Sequence, residues 1–116
     1  MGYILYQAGD RDAALGHLLK ALQVNPDLVP AHALVGQLLL ERQQYLRATI
    51  SYRIVAAAMP ENPSVLYNLG LALWGQGLRD QAKSTINTAI GLYQRQGDQA
   101  GAQRGRELIE FWVAQP

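Results

Sequence analysis

The sequence predicts an all-α solenoid of stacked helix pairs, and three observations carry that prediction. The first is a fixed period of 34 residues: Leu69-Gly70 repeats as Val35-Gly36 and as Met1-Gly2, with no insertion. Fixed self-similarity at this spacing marks a repeat array. The second is a set of small-residue columns under the same shifts, with Ala82 over Ala48 and Ala14, and Ala89 over Val55 and Ala21. The third is a proline stop between units, where Pro60 aligns with Pro26. Proline cannot continue a helix interior, and it turns the preceding residue away from helical geometry.

Helix signals then come in pairs along the chain. Residues 1–8 read as the remnant of a first helix, ended at Gly9, which suits a C-terminal cap. Asp10 is placed to cap a helix over 11–24, whose Ala14, Leu18, Ala21 and Leu22 share one face. Asn25-Pro26-Asp27 stops it. The next helix runs to about Glu41 with Pro30 in its first turn, where a missing amide costs nothing. After the short turn at 42–44, Tyr45 to Ala58 forms its partner, and Pro60-Glu61-Asn62-Pro63 is the second stop. The third pair spans Pro63 to Gln76 and Arg79 to about Gln96, separated by Gly77-Leu78. A last helix, from Asp98 or Gln99 to Ala114, is polar in front and apolar behind at Leu108, Ile109, Phe111, Trp112 and Val113. Its Gly101 and Gly105 each cost about 1 kcal/mol of helix propensity against alanine. Such a helix suits the lid that a terminal repeat needs for solubility.

Composition narrows the function classes. Ten Lys and Arg against nine Asp and Glu leave a formal charge of +1, no reason to expect a polyanionic partner. The chain has no cysteine, so disulfides and thiolate metal sites are excluded and the redox compartment stays open. No apolar run approaches the roughly 18–20 residues that span a bilayer. Met1 and Gly2 already match the middle of a first helix, which predicts a segment of a longer protein. Catalytic chemistry has little to hold. His17 and His32 stand on different units, His32 in the packed column of Leu66. Gly75-Gln76-Gly77 is a helix–helix turn without the strand a phosphate loop needs. Glu107 and Glu110 read as a solvated face. Arg79, Lys83, Arg95, Arg104 and Arg106 gather in the last third, but Asp80, Asp98, Glu107 and Glu110 interleave with them, so no nucleic acid is expected.

The repeated unit resembles the tetratricopeptide repeat, a helix–turn–helix of about 34 residues reading Trp-x-x-Leu-Gly-x-x-Tyr, then Ala-x-x-x-Phe, then Pro. The third unit gives Leu66-x-x-Leu69-Gly70-x-x-Leu73 and Ala82-x-x-x-Ile86. The second gives His32-x-x-Val35-Gly36-x-x-Leu39, Ala48-x-x-x-Tyr52 and Pro60. The first gives Met1-Gly2-x-x-Leu5, Ala14-x-x-x-Leu18 and Pro26. Aliphatic residues replace the aromatics, and Gln94 stands where a third proline would fall. The resemblance implies a right-handed superhelical solenoid of about three repeats (1–27, truncated; 28–61; 62–97), capped by a helix over 98–116. Gly2, Gly36 and Gly70, facing Ala14, Ala48 and Ala82, would be small where antiparallel helices approach.

In this family the concave face is lined by the first helix of each pair. The resemblance therefore implies a partner-binding groove of Tyr3, Tyr6 and Gln7; Ala33, Gln37, Leu40 and Glu41; and Ser64, Tyr67, Leu71 and Trp74. Leu5, Val35, Leu39, Leu69 and Leu73 would point towards the second helices instead. The lining has no lysine or arginine, which disfavours the branch that clamps acidic chaperone tails. It suits a protein or peptide docked by apolar side chains. Tyr6, Leu40 and Trp74 form one column and alternatively pack on neighbouring repeats. The expected function is a non-catalytic protein-interaction module without cofactor or metal, serving as scaffold, assembly factor or co-chaperone. The alternatives are self-association through the open face of the first unit and an RNA-binding helical repeat.

Overall fold

The structure, a computed structural model, describes residues 10–115. Six helices follow one another: α1 (Arg11–Val24), α2 (Val29–Glu41), α3 (Tyr45–Ala58), α4 (Pro63–Gly75), α5 (Arg79–Arg95) and α6 (Gln99–Val113), with no strand among the described residues. The first helix expected at 1–8, and its stop at Gly9, lie outside those residues.

The helix ends follow local chemistry. Asn62 caps α4 by accepting the Val65 amide at 3.3 Å, and Asp98 caps α6 by accepting the Gly101 amide at 2.8 Å. Each side chain satisfies one of the amides that a helix start leaves unpaired. Asp10 does not do this for α1. Its carboxylate makes no capping hydrogen bond, and only its carbonyl accepts, from the Ala14 amide at 2.9 Å. Three connections use a left-handed residue: Gln43 (φ +61°), Gly77 (φ +92°) and Gly97 (φ +76°). At α5 the missing proline lets the helix run for 17 residues, and Gly97 ends it.

Each helix packs on the one before and the one after it, and α2 also reaches α4. Burying one face of each helix in this way removes apolar area from water, at about 25 cal/mol per Å². The sealed centre is Leu38, Leu39, Val55, Leu73 and Ile86, interleaved with the fully buried Ala48, Ala72, Ala82 and Ala89.

Gly36 and Gly70 do sit at a close approach; the Ala82 carbonyl is 3.5 Å from a β-carbon on Gly70, but the nearest partners of both glycines are larger residues. A β-carbon on Gly36 would lie 3.1 Å from the Tyr52 ring, and one on Gly70 would lie 2.5 Å from Ile86 Cδ1. Tyr52 and Ile86 are the residues four places after Ala48 and Ala82, one helical turn on. The small alanines let the helices close; the large residues next in line then lie over the glycines.

The same device seats α6. A β-carbon on Gly101 would fall 2.3 Å from Tyr93 Cδ1, and one on Gly105 would fall 2.5 Å from Ile90 Cγ1. Read from propensity alone, these glycines are a cost. In the fold they are the contact surface against α5. The cap is incomplete at its far end, where Trp112 is buried but Phe111 and Val113 remain 62% and 67% exposed.

Candidate functional site: the face shared by α2, α4 and α6

Positions 64, 67, 71 and 74 lie three or four residues apart and therefore on one face of α4. The equivalent positions in α2, one period earlier, are 33, 37 and 40. Ala33, Leu40, Tyr67, Leu71 and Trp74 are half-buried, while Gln37, Glu41 and Ser64 are exposed. Tyr3, Tyr6 and Gln7 lie outside the described residues, as do Met1 and Leu5 of the expected self-association face.

The first helices of successive units stand side by side, and α6 joins them. Trp74 stacks on Trp112 with ring centroids 4.3 Å apart and planes 1° from parallel. The Arg79 guanidinium stands 4.7 Å from the Trp74 ring centroid, within cation–π range. The last column residue of α4 is thus tied to the cap rather than standing free.

Beside that stack, Tyr67 faces α6. Burial raises its phenol above the ordinary value of 10.0; Arg104 acts against that rise, and Tyr93 and Glu107 add to it. At neutral pH its hydroxyl therefore keeps its proton and can both donate and accept. Arg104 also lies 5.9 Å from the Tyr93 ring centroid. The expectation that this face lacks arginine fails at its α6 end, because the cap brings Arg104 there.

The two ends of the face differ. At one, Glu41 forms an ion pair with Arg11 of α1, next to a second pair between Arg42 and Asp12. At the other, the Ser64 hydroxyl lies 3.3 Å from that of Tyr93. A cleft of about 710 Å³ opens there, lined by Ser64 and Tyr93 together with Met59, Glu61, Gln96 and Asp98. The Gln96 amide donates to the Glu61 carbonyl at 2.8 Å and fixes one wall.

Among the described residues no group of three His, Asp or Glu side chains is placed to hold a metal. His17 is exposed on α1. His32 is half-buried, and its Nε2 donates to the Pro26 carbonyl at 2.7 Å, tying α2 to the preceding turn. No described helix is long and apolar enough to cross a membrane.

Sequence reasoning missed Arg104, Glu107 and Trp112 as members of this face. A signal for them exists. Asp98 caps α6 as Asn62 caps α4, two residues later than the repeat period would place it. That makes α6, among the described residues, a third helix in the row of first helices after α2 and α4, offset by the longer α5.

Helix hairpins of this period, with first helices in one row and glycines under large residues of the second, define a tetratricopeptide-repeat solenoid. Comparison with known proteins agrees: the tetratricopeptide-repeat family model matches residues 63–98. A TPR repeat-containing protein of a Picosynechococcus strain is 33% identical over 86 residues, covering 74% of this chain and 22% of that relative. The chain thus spans about a fifth of the curated relative's length. Among solved structures, MamA from Desulfovibrio magneticus RS-1 superposes with a TM-score of 0.76 at 25% identity, over 99% of this chain and 73% of that one. The Sgt2 TPR domain from Aspergillus fumigatus reaches 0.72 at 17% identity, over 99% and 80%, and shows the shared fold alone. The family match over 63–98, the relative and the fold thus agree on tetratricopeptide repeats, an architecture that supports a protein-interaction repeat module.

Proposed function

We propose that the face shared by α2, α4 and α6 holds a segment of a partner protein, and that the module is a non-catalytic scaffold or assembly factor within a longer protein. The observation that carries this reading is the aligned set Ala33, Gln37 and Leu40 beside Tyr67, Leu71 and Trp74. These side chains leave part of their surface open in two adjacent rows, although the core behind them is sealed. Aromatic and aliphatic side chains held rigidly in this way are good anchors, because little rotamer freedom is lost on binding. Tyr67, with Arg104 at its side, adds a polar contact that favours a partner residue bearing a carboxylate or carbonyl next to its apolar side chain.

Tyr67 and Leu71 also pack against the core, so truncating both to alanine would mix lost binding with lost stability. Gln37→Arg combined with Leu71→Gln leaves most of that packing in place and puts charge and polarity on the face. Affinity capture from the native host should recover a partner with the parent chain and lose it with this variant, while circular dichroism is unchanged. Capture that persists undiminished in the folded variant would refute the assignment.

A further inference from the structure

On the opposite side of the fold, the outer face of α3 carries a second surface that the groove does not use. Leu46, Ile50 and Ile54 are 58%, 54% and 39% exposed. Their spacing of four places them within an arc of about 80° on the helix. Single exposed aliphatics are common on any protein, but three aligned over two turns form a continuous stripe. The repeat does not require it. One period earlier the same column reads Asp12, Gly16 and Lys20 in α1; one period later it reads Asp80, Ser84 and Thr88 in α5.

The borders of the stripe are basic. On the same helical wheel Arg53 falls just outside Leu46, and Arg47 falls just outside Ile54, so an arginine flanks each side. Neither is neutralised by its own helix, since α3 has no acidic residue. Arg47 donates to the Gln44 side-chain oxygen at 2.8 Å, and Arg53 donates to that of Gln81 at 3.3 Å. Asp80 lines the shallow cleft beyond Arg53 and leaves the border net positive.

We infer that the outer face of α3 docks an acidic amphipathic helix of a partner protein, with apolar side chains on Leu46, Ile50 and Ile54 and carboxylates beside Arg47 and Arg53. Charge selects this occupant. A second copy of the chain packed α3 on α3 would bring arginine borders together in either orientation, and like charges across an interface oppose pairing. A helix with glutamate or aspartate on both sides of an aliphatic seam meets both features at once.

Two fluorescein-labelled synthetic helical peptides test this, alike in their leucine seam, one flanked by glutamates and the other by lysines. The glutamate peptide should bind the chain with at least about tenfold higher affinity than the lysine peptide by fluorescence anisotropy. Ile50→Ser should weaken it by about tenfold or more. Arg47→Glu with Arg53→Glu should reverse the preference between the peptides. These positions are exposed, so circular dichroism should not change, and Gln37→Arg with Leu71→Gln should leave this binding intact. Equal affinity for the two peptides, no binding by the glutamate peptide, or indifference to Ile50→Ser overturns the inference. So does a concentration-dependent dimer in sedimentation that Ile50→Ser dissolves, which assigns the stripe to a second copy. Binding to phosphatidylglycerol vesicles that Ile50→Ser abolishes assigns it to a membrane and likewise overturns it.

Discussion

Gln43 occupies a backbone conformation that its repeat-mate Gly77 adopts freely. Both end a first helix in left-handed geometry, at φ +61° and +92°. A residue with a β-carbon there meets the following carbonyl, at a cost of roughly 1–2 kcal/mol. Glycine escapes that clash but loses more chain entropy on folding, which offsets part of the gain. Gln43→Gly is therefore expected to stabilise the fold by about 0.5–1 kcal/mol, read as a higher urea midpoint with an unchanged slope. Gly77→Ala should move the midpoint the other way. The sequence marked the turn at 42–44 through its position between two amphipathic patterns, but a glutamine gives no hint of positive φ. Only the alignment with Gly77 points to it. Asp10 shows the converse: the right residue type for a cap stands at the right place, and its side chain does not close the bond.

At the scale of the element, α6 is where propensity and packing disagree. An isolated helix containing Gly101 and Gly105 is a poor helix, but these two residues lie four apart and meet Tyr93 and Ile90 of α5. A methyl group at Gly101 would enter a ring that is itself buried, so the ring cannot swing aside freely. Overpacking of this kind costs about 1–3 kcal/mol, which exceeds the roughly 1 kcal/mol that alanine returns in helix propensity. Gly16 in α1 has nothing within 4 Å of its missing β-carbon. The same substitution should therefore act with opposite sign: Gly101→Ala lowers the melting temperature, and Gly16→Ala raises it. Equal shifts from the two variants would mean that α6 does not seat through its glycines. Helix existence and limits were readable from proline, glycine and spacing because those signals are local. Which face of a helix its neighbour approaches is not local, and that is why the glycines of α6 first read as a cost.

The whole molecule is a one-dimensional stack, so its fold is legible wherever a period is. Leu69-Gly70 over Val35-Gly36 identifies the architecture without knowledge of any contact. The binding face is less legible because it depends on rows of helices rather than on one repeat. Arg104 and Glu107 reach Tyr67 only because α6 takes the place of another first helix, two residues out of register. The stack also gives the molecule a built-in optical reporter. The chain contains two tryptophans, and they are the pair Trp74 and Trp112. All indole emission therefore originates at the seam between α4 and the last helix. Parallel rings this close should couple as an exciton pair in circular dichroism, with Trp112→Phe abolishing the couplet. If α6 detaches before the rest unfolds, as the end of a repeat array can, the couplet will disappear at lower urea than the helical signal at 222 nm. Coincident loss of the two signals would show that the lid and the repeats melt as one unit.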